Sequence, residues 1–577
     1  MDRKQDAIKT GRAPRDFEPD VVIVGSGAAG GMAAYALTRA GVKCLILEAG
    51  RDYDPLKETA MFQTAAEAPL RGASTPDKHF GYFDATANGG WQVPGEPYTN
   101  APGSTFKWWR SRMLGGRTNH WGRHVPRFGP YDFKAKSRDG LGMDWPISYE
   151  DLAPWYDRTE KLIGVAGANA GLENHPDSGP GVLLPPSRPR IPELAIKAGA
   201  NALGIPCVPS RYAILTRDKP HRHAPRQACF NATPCGRGCA IGAAFQTTTS
   251  LLPMAVGTGR CRIITHAMVS RILVNERGRA SGVEYFDKSG TPQRVKARAV
   301  VLAASACESA RLLLNSHTAQ AAQGLANSSG QVGRGLMDTT GTNITGQIPA
   351  LENRPRFNED GMEVAHLYIP FWLYKEQAAG KLDFPRAYHY EIGGRFSAPG
   401  GNPAGGLEDG YGASLKQDAR RYYGSFISLT VRGEMIPNAD SWCELDPEVK
   451  DRFGLPVLRF HWKFSDHEYR QVAHGINTAR DIIHKLGGRV VTPELPPEKA
   501  IADGGWIIHE VGTTRMGASA SDSVTDSFGR TWDVDNLVVA DGGVFTSNAH
   551  KNPTLTIMAL AWRSMDKLAE RMRKGEL

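Results

Sequence analysis

Hydrophobic residues along the chain alternate between two periods. Val21-Val22-Ile23-Val24 is an unbroken apolar run of strand length, the pattern of a strand buried on both faces. From Ala28 to Ala40 small and apolar residues recur at helical spacing, and Lys43 to Glu48 returns to a strand pattern. This order predicts the opening strand-helix-strand unit of a dinucleotide-binding fold. A similar unit, Arg298 to Ala304 followed by a helix through Leu314, sits mid-chain. Another pairs a strand over Asn536 to Asp541 with a helix running from Pro553 into the basic C-terminus. Residues 1–18 are polar and charged and read as a loose lead-in.

Two long stretches, about 50–225 and 340–500, are rich in Gly, Pro and aromatic residues and read as insertions into the cofactor fold. Tyr422 to Trp462 alternates apolar and polar residues, which suits a sheet-based substrate domain. The expected division gives 19–60, 100–130, 226–340 and 500–577 to the cofactor domain. It gives 131–225 and 341–499 to the substrate domain, with 226–245 as a cysteine-bearing segment. The fold class is α/β: a doubly wound Rossmann-like domain interrupted by an α+β substrate domain.

Composition narrows this picture. Of 577 residues, 41% are hydrophobic, enough for a large core, so a disordered chain is excluded. The formal charge of +9 is scattered along the chain and does not argue for nucleic acid. Val21 to Thr38 is an uncharged run behind basic residues, but glycines at 25, 27, 30 and 31 argue against a signal peptide or membrane helix. The chain by itself therefore reads as soluble and cytoplasmic, with no direct membrane span.

Gly25-Ser26-Gly27-Ala28-Ala29-Gly30 has the glycine spacing of a dinucleotide fingerprint. The glycines serve a tight turn, a close approach to pyrophosphate and close helix packing. The pyrophosphate would sit on the helix N-terminus, where free N–H groups favour anions. Glu48 ends the next strand, where a carboxylate accepts hydrogen bonds from a ribose. Cys229, Cys235 and Cys239 form C-x5-C-x3-C, whereas the other five cysteines are dispersed. The clustering points to a metal centre. A zinc site would recruit a fourth ligand such as His221 or His223, and three structural thiols are the bland alternative.

The C-terminal region carries a more specific signal. His509-Glu510-Val511-Gly512-Thr513-Thr514-Arg515-Met516-Gly517 is followed by Val538-Val539-Ala540-Asp541-Gly542-Gly543 and by Asn552-Pro553-Thr554-Leu555-Thr556. With these motifs the chain resembles the glucose-methanol-choline oxidoreductase family, FAD enzymes that oxidise alcohols and sugars. The resemblance implies FAD rather than NAD, which the glycine fingerprint alone leaves open. It also implies His509 as the base that takes a hydroxyl proton and Asn552 as the partner that orients the substrate oxygen. Asn-Pro is also an ordinary helix start, with Asn552 as cap and Pro553 as first helical residue. A helix beginning at Pro553 and Thr554 would aim its positive end at the flavin.

Arg112, Gly115, Gly116, Thr118, Asn119 and His120 fall in the segment similar to the family's glycine-rich flavin loop, with Arg117 where many members have Ser or Thr. Asp541 and Gly542 are expected at the ribityl or phosphate groups, and the backbone of Val269 at adenine. The cysteine spacing resembles that of bacterial FAD sugar dehydrogenases whose large subunit holds a three-iron, four-sulfur (3Fe-4S) cluster. Together with Gly115 to Arg123 it is similar to bacterial glucoside 3-dehydrogenases, which oxidise the C3 hydroxyl of glycosides. That likeness implies a signal-bearing small subunit for co-export to the periplasm and a cytochrome c or quinone acceptor. Sugar or polyol dehydrogenases of other specificity, oxygen-using oxidases and hydroxynitrile-lyase-like members are the alternatives.

Overall fold

The computed structural model describes residues 8–10, 17–59, 67, 70, 73, 89–231, 235–354, 365–394 and 411–577. Its centre is a six-stranded parallel sheet ordered Ile8–Thr10, Cys261–Thr265, Cys44–Leu47, Val21–Val24, Ala299–Leu302, Leu537–Val539. The chain leaves Val21–Val24 in both directions across the sheet, and ligands of such folds bind in the crevice where the order reverses. The strands are apolar throughout because both faces are covered: Val21, Val22, Ile23, Val300 and Val301 are wholly buried. Helices Ala28–Arg39 and Thr554–Arg573 pack against each other on this sheet, with Tyr35 edge-on to Trp562. The uncharged Val21–Thr38 run thus resolves into a strand and a helix. No helix among the described residues is long and apolar enough to cross a membrane.

A second six-stranded sheet is antiparallel, ordered Arg489–Val490, Thr340–Gln347, Phe426–Gly433, Tyr388–Gly393, Leu367–Ile369, Val208–Pro209. Burial alternates along Phe426–Gly433, and one face carries the helix Asp466–Lys485. That helix opens with a capping box, Ser465 with Glu468, which satisfies its first free N–H groups. In Tyr388–Gly393 the period of two places Tyr388, Tyr390 and Ile392 in the core under the helix. His389 and Glu391 take the opposite face, toward the cofactor domain.

Four placements differ from the sequence expectation. Ile8–Thr10, read as lead-in, is an edge strand of the parallel sheet; one apolar residue in three gives no periodic signal. Trp442–Lys450 and Pro456–His461 are strands, but they pair with each other and with Thr99–Asn100 rather than with the substrate sheet. Their Cys443, Leu458 and Phe460 join the cofactor-side core, because alternation identifies a strand and not its partner. Helix Tyr149–Ile163, expected in the substrate part, buries Leu152, Tyr156 and Ile163 in that same core. Its Tyr156 hydroxyl lies 2.8 Å from Thr556 on the C-terminal helix. Finally, Pro553 occupies the N-cap and the C-terminal helix begins at Thr554, one residue later than expected, so Asn552 is released from capping.

Candidate active site

The turn after Val21–Val24 is built on glycine for two reasons. Gly25 has φ +97°, and a Cβ on Gly30 would lie 2.0 Å from the Gly25 carbonyl oxygen. Gly27, by contrast, has open space around its missing Cβ. It precedes a helix with no side-chain cap and no acidic residue in its first turn. The first N–H groups of that helix are therefore available to an anion.

These elements open onto a cavity of about 440 Å³ that runs to His509 and Asn552. Gly25, Gly27, Ala28 and Glu48 line one end. Arg112, Gly116, Thr118, His120, Val269, Asp541, Gly542, Pro553 and Thr554 also face it. The bare Gly27 cradle, the uncapped helix start and a cavity lined both by that turn and by His509 fit FAD. Three expected positions do not line the cavity: Gly30, Gly115 and Asn119. Gly30 packs against the Gly25 turn, and Gly115 stands in a left-handed conformation against Thr248 and Asn119. Asn119 is buried and spends its amide on the Leu114 and Gly116 carbonyls, at 2.8 and 3.1 Å, and on Thr248. Its work is to hold the flavin-loop turn closed.

Several lining groups are already engaged. Glu48 accepts from the Ser26 amide and hydroxyl and from Gly50 N at 2.8 Å; burial raises its pKa above the ordinary carboxylate value. Arg112 pairs with Glu96 at 2.7 Å and with Glu308. Asp541 accepts from Gly543 N and the Ser309 hydroxyl, and burial pushes its pKa up to about 6. His120 meets Ser111 Oγ at 3.2 Å; burial, then Arg123 and Arg117, push its pKa down to about 3.

At the far end His509 and Asn552 come together, with Nε2 and Nδ2 3.5 Å apart. His509 Nδ1 lies 2.9 Å from the Thr339 hydroxyl, which also accepts from Asn548 Nδ2 at 3.2 Å. Asn552 Nδ2 donates to Glu391 Oε1 at 2.9 Å, while the buried Asn552 Oδ1 has no partner among the described residues. Burial opposes charge on Glu391, but the Arg432 guanidinium, 3.4 Å away, and the neighbouring histidines hold its carboxyl well below the usual range. Burial pushes His509 down to about 3, assisted by Arg432. Burial, then the charge of Glu510, pushes Asp338 up to about 7; its Oδ1 accepts from His509 N at 2.9 Å.

Arg117 explains its own departure from the family pattern. Its Nη1 donates to Glu510 at 2.6 Å and to the Ile508 carbonyl at 3.2 Å, gripping the chain on both sides of His509. Ile508 stands at φ +65°, a costly conformation for a β-branched residue that persists where neighbours enforce it. Sequence reasoning missed Thr339, Glu391, Arg432 and Asn548. Glu391 had one legible signal, the polar His389 and Glu391 alternating with Tyr388, Tyr390 and Ile392.

Cys229, Cys235 and Cys239 line one small cavity of about 20 Å³. Among the described residues, however, no three His, Cys, Asp or Glu side chains stand close enough together to hold a metal ion. The expected convergence of the thiols is therefore not seen. Cys235 and Cys239 pack among the buried groups beside Tyr212, Ile214 and Ala244. Burial raises Cys229 above its ordinary value.

Comparison with known proteins agrees with this architecture. The GMC oxidoreductase models match residues 190–340 and 437–561, and an FAD binding domain model matches 20–102. The 2-methyl-1,2-propanediol dehydrogenase of Mycolicibacterium austroafricanum is 31% identical over 563 residues, covering 96% of each chain. The fructose dehydrogenase large subunit of Gluconobacter japonicus is 27% identical over 96% of this chain and 98% of that one. A formate oxidase of Aspergillus oryzae shares the fold at 14% identity, with a TM-score of 0.64 over 97% of this chain and 100% of that one. Glycine turn, flavin-sized cavity, His509–Asn552 pair and full-length relatives lead to one assignment: the chain belongs to the GMC oxidoreductase family, whose members act on the CH–OH groups of alcohols and sugars.

Proposed function

We propose that the protein is an FAD-dependent dehydrogenase that oxidises a secondary hydroxyl of a sugar or glycoside, at C3, to a keto group. The observation that carries the reading is the paired imidazole and amide at the end of the flavin cavity. The C3 assignment rests on the similarity of Gly115–Arg123 and the cysteine segment to glucoside 3-dehydrogenases. FAD, held by the Gly25–Gly30 turn, Arg112 to Thr118, Val269, Asp541 and the helix start at Thr554, would supply the hydride acceptor.

His509 Nε2 takes the hydroxyl proton. Donation from Nδ1–H to Thr339 is the tautomer that leaves Nε2 bare. Asn552 gives one amide hydrogen to Glu391 and directs the other toward His509 Nε2, 3.5 Å away, where an entering substrate oxygen would take it. Glu391 is thus a positioning residue that fixes which way the amide faces.

The imidazole's depressed pKa sets a pH dependence. A pKa of about 3 means that the base stays neutral as pH falls through the ordinary range. His509 itself should therefore give no acid limb in single-turnover flavin reduction by saturating sugar between about pH 8 and about pH 5; the site groups that titrate in that window are Asp338, pushed up to about 7, and Asp541, pushed up to about 6. An acid limb near the unperturbed imidazole value of about 6.5 that both Asp338→Asn and Asp541→Asn keep would remove this account of His509.

We extend the reading to a three-iron, four-sulfur cluster on Cys229, Cys235 and Cys239. We also propose a signal-bearing small subunit for periplasmic export and a cytochrome c or quinone acceptor. The spacing and the shared cavity support the cluster, and the large-subunit name of the Gluconobacter relative supports a second subunit. The seat does not fit a cluster as it stands, since among the described residues no three such side chains stand close enough together to hold a metal ion. Anaerobically prepared, flavin-loaded protein should contain iron and acid-labile sulfide that Cys235→Ser loses; iron-free holoprotein would overturn the proposal. The same unconverged thiols favour a second reading, an oxidase passing electrons to oxygen. Peroxide formed in step with sugar consumed would establish that alternative.

A further inference from the structure

Beside the flavin cavity lies a second cavity of about 580 Å³, lined by strands Thr340–Gln347 and Phe426–Gly433 of the antiparallel sheet, by helix Asp466–Lys485 and by the segment 492–508. The two share Ile507 and Ile508, the residues directly before His509, so the second adjoins the first as an annex. Its walls carry three cationic side chains from three different elements. Arg432 comes from the strand Phe426–Gly433, Arg480 from the helix Asp466–Lys485, and Lys499 from the short helix Pro497–Ala500. Hydroxyls of Thr342, Thr430 and Thr492 stand among them, and no Asp or Glu is among the described residues that line the space.

The cations are only partly neutralised. Arg480 donates to Glu494 at 2.8 Å, but that carboxylate is 83% exposed, and solvent makes such a pair weak. Arg480 Nε is buried with no hydrogen-bond partner among the described residues. Arg432 reaches Glu391 at 3.4 Å, which connects the annex to the catalytic pair through the Glu391–Asn552 hydrogen bond. Guanidinium and ammonium groups arranged around hydroxyls are suited to a carboxylate or a phosphate oxygen, which they bind by charge-assisted hydrogen bonds.

We propose that this annex is the subsite for the non-reacting part of the substrate, and that the group it takes is anionic. The inference deepens the sugar-oxidation reading and rests on it: the substrate class becomes an acidic sugar, with a carboxylate or phosphate at a distance from the oxidised hydroxyl. Binding energy from that remote group holds the reacting carbon in register with His509.

The test uses the full-length, FAD-loaded enzyme with methyl β-glucopyranoside, the corresponding methyl glucuronide and the corresponding 6-phosphate. At least one anion should show a KM about tenfold or more below that of the neutral glycoside, the scale of one charged hydrogen bond. A preference for the glucuronide alone or the 6-phosphate alone identifies which anion the annex serves. Lys499→Ala and Arg480→Ala should each shrink that preference severalfold while kcat on the neutral glycoside stays unchanged. Equal KM values in the parent, or a preference that both variants keep, would overturn the subsite. Calorimetric titration with the same three sugars separates the two readings. If no sugar bleaches the flavin but an anion binds the parent and not the variants, the subsite stands and sugar oxidation falls. If the neutral glycoside is oxidised and anions bind no better, the reverse holds.

Discussion

Replacing His509 with alanine is expected to leave FAD bound and the fold intact, and to slow flavin reduction by sugar about 10²- to 10⁴-fold, the usual contribution of a general base. The imidazole lines the cavity but is no part of the Gly25–Gly30 turn, so its removal leaves the phosphate-binding turn intact. Its Nδ1 partner Thr339 keeps the hydrogen bond from Asn548 and is not left unsatisfied. The loss should appear in kcat and in kcat/KM alike, because proton transfer belongs to the transition state. Rapid-mixing measurement of anaerobic flavin bleaching reads the step directly. Reduction at the parent rate would take His509 out of the chemistry and leave it as a buried structural histidine.

Gly30→Ala should have an effect of similar size by a different route. The new methyl would lie 2.0 Å from the Gly25 carbonyl oxygen, a backbone atom that cannot turn aside as a side chain does. Relief requires the fingerprint turn and the start of helix Ala28–Arg39 to separate, at a cost of about 1–3 kcal/mol or more. The expected product is flavin-free protein with a lowered melting temperature. Gly27→Ala is the informative contrast, because its methyl meets no protein atom within 4 Å and projects where the pyrophosphate would lie. That variant should melt like the parent apoprotein yet bind FAD more weakly. The flavin-to-protein absorbance ratio and thermal melting of both variants decide the matter. A flavin-loaded Gly30→Ala would show that the turn tolerates the separation.

What could be read in the sequence follows from how far each signal reaches. The glycine turn, the strand ending at Leu47 and the helix start after Asn552 are local: a few adjacent residue types fix φ, burial and capping at once. His509 and Asn552 are forty-three residues apart, yet each stands in a motif that identifies it. Glu391, Thr339 and Arg432 have no such neighbourhood. They reach the site because strands Tyr388–Gly393, Thr340–Gln347 and Phe426–Gly433 pair in one sheet, and a period of two says which residues share a face but not what that face meets. The same gap explains Trp442–His461, recognised as strands and assigned to the wrong sheet. For the cysteines, spacing places three thiols in one loop and one cavity, but how closely their sulfurs approach one another is a side-chain property that spacing does not encode. Arg117 was visible as a departure from the family pattern; its partners Ile508 and Glu510 became visible only once the chain was folded.

The central claim is that this chain removes hydride from a sugar carbon at the His509 end of the flavin cavity. Anaerobic mixing of the FAD-loaded protein with a panel of neutral and acidic glycosides tests it most directly, with bleaching of the flavin followed in real time and the product examined by NMR. The account predicts stoichiometric bleaching by at least one glycoside and a carbonyl at C3 of the oxidised ring. A flavin that stays oxidised with every sugar, or a product oxidised at a primary carbon, would contradict it.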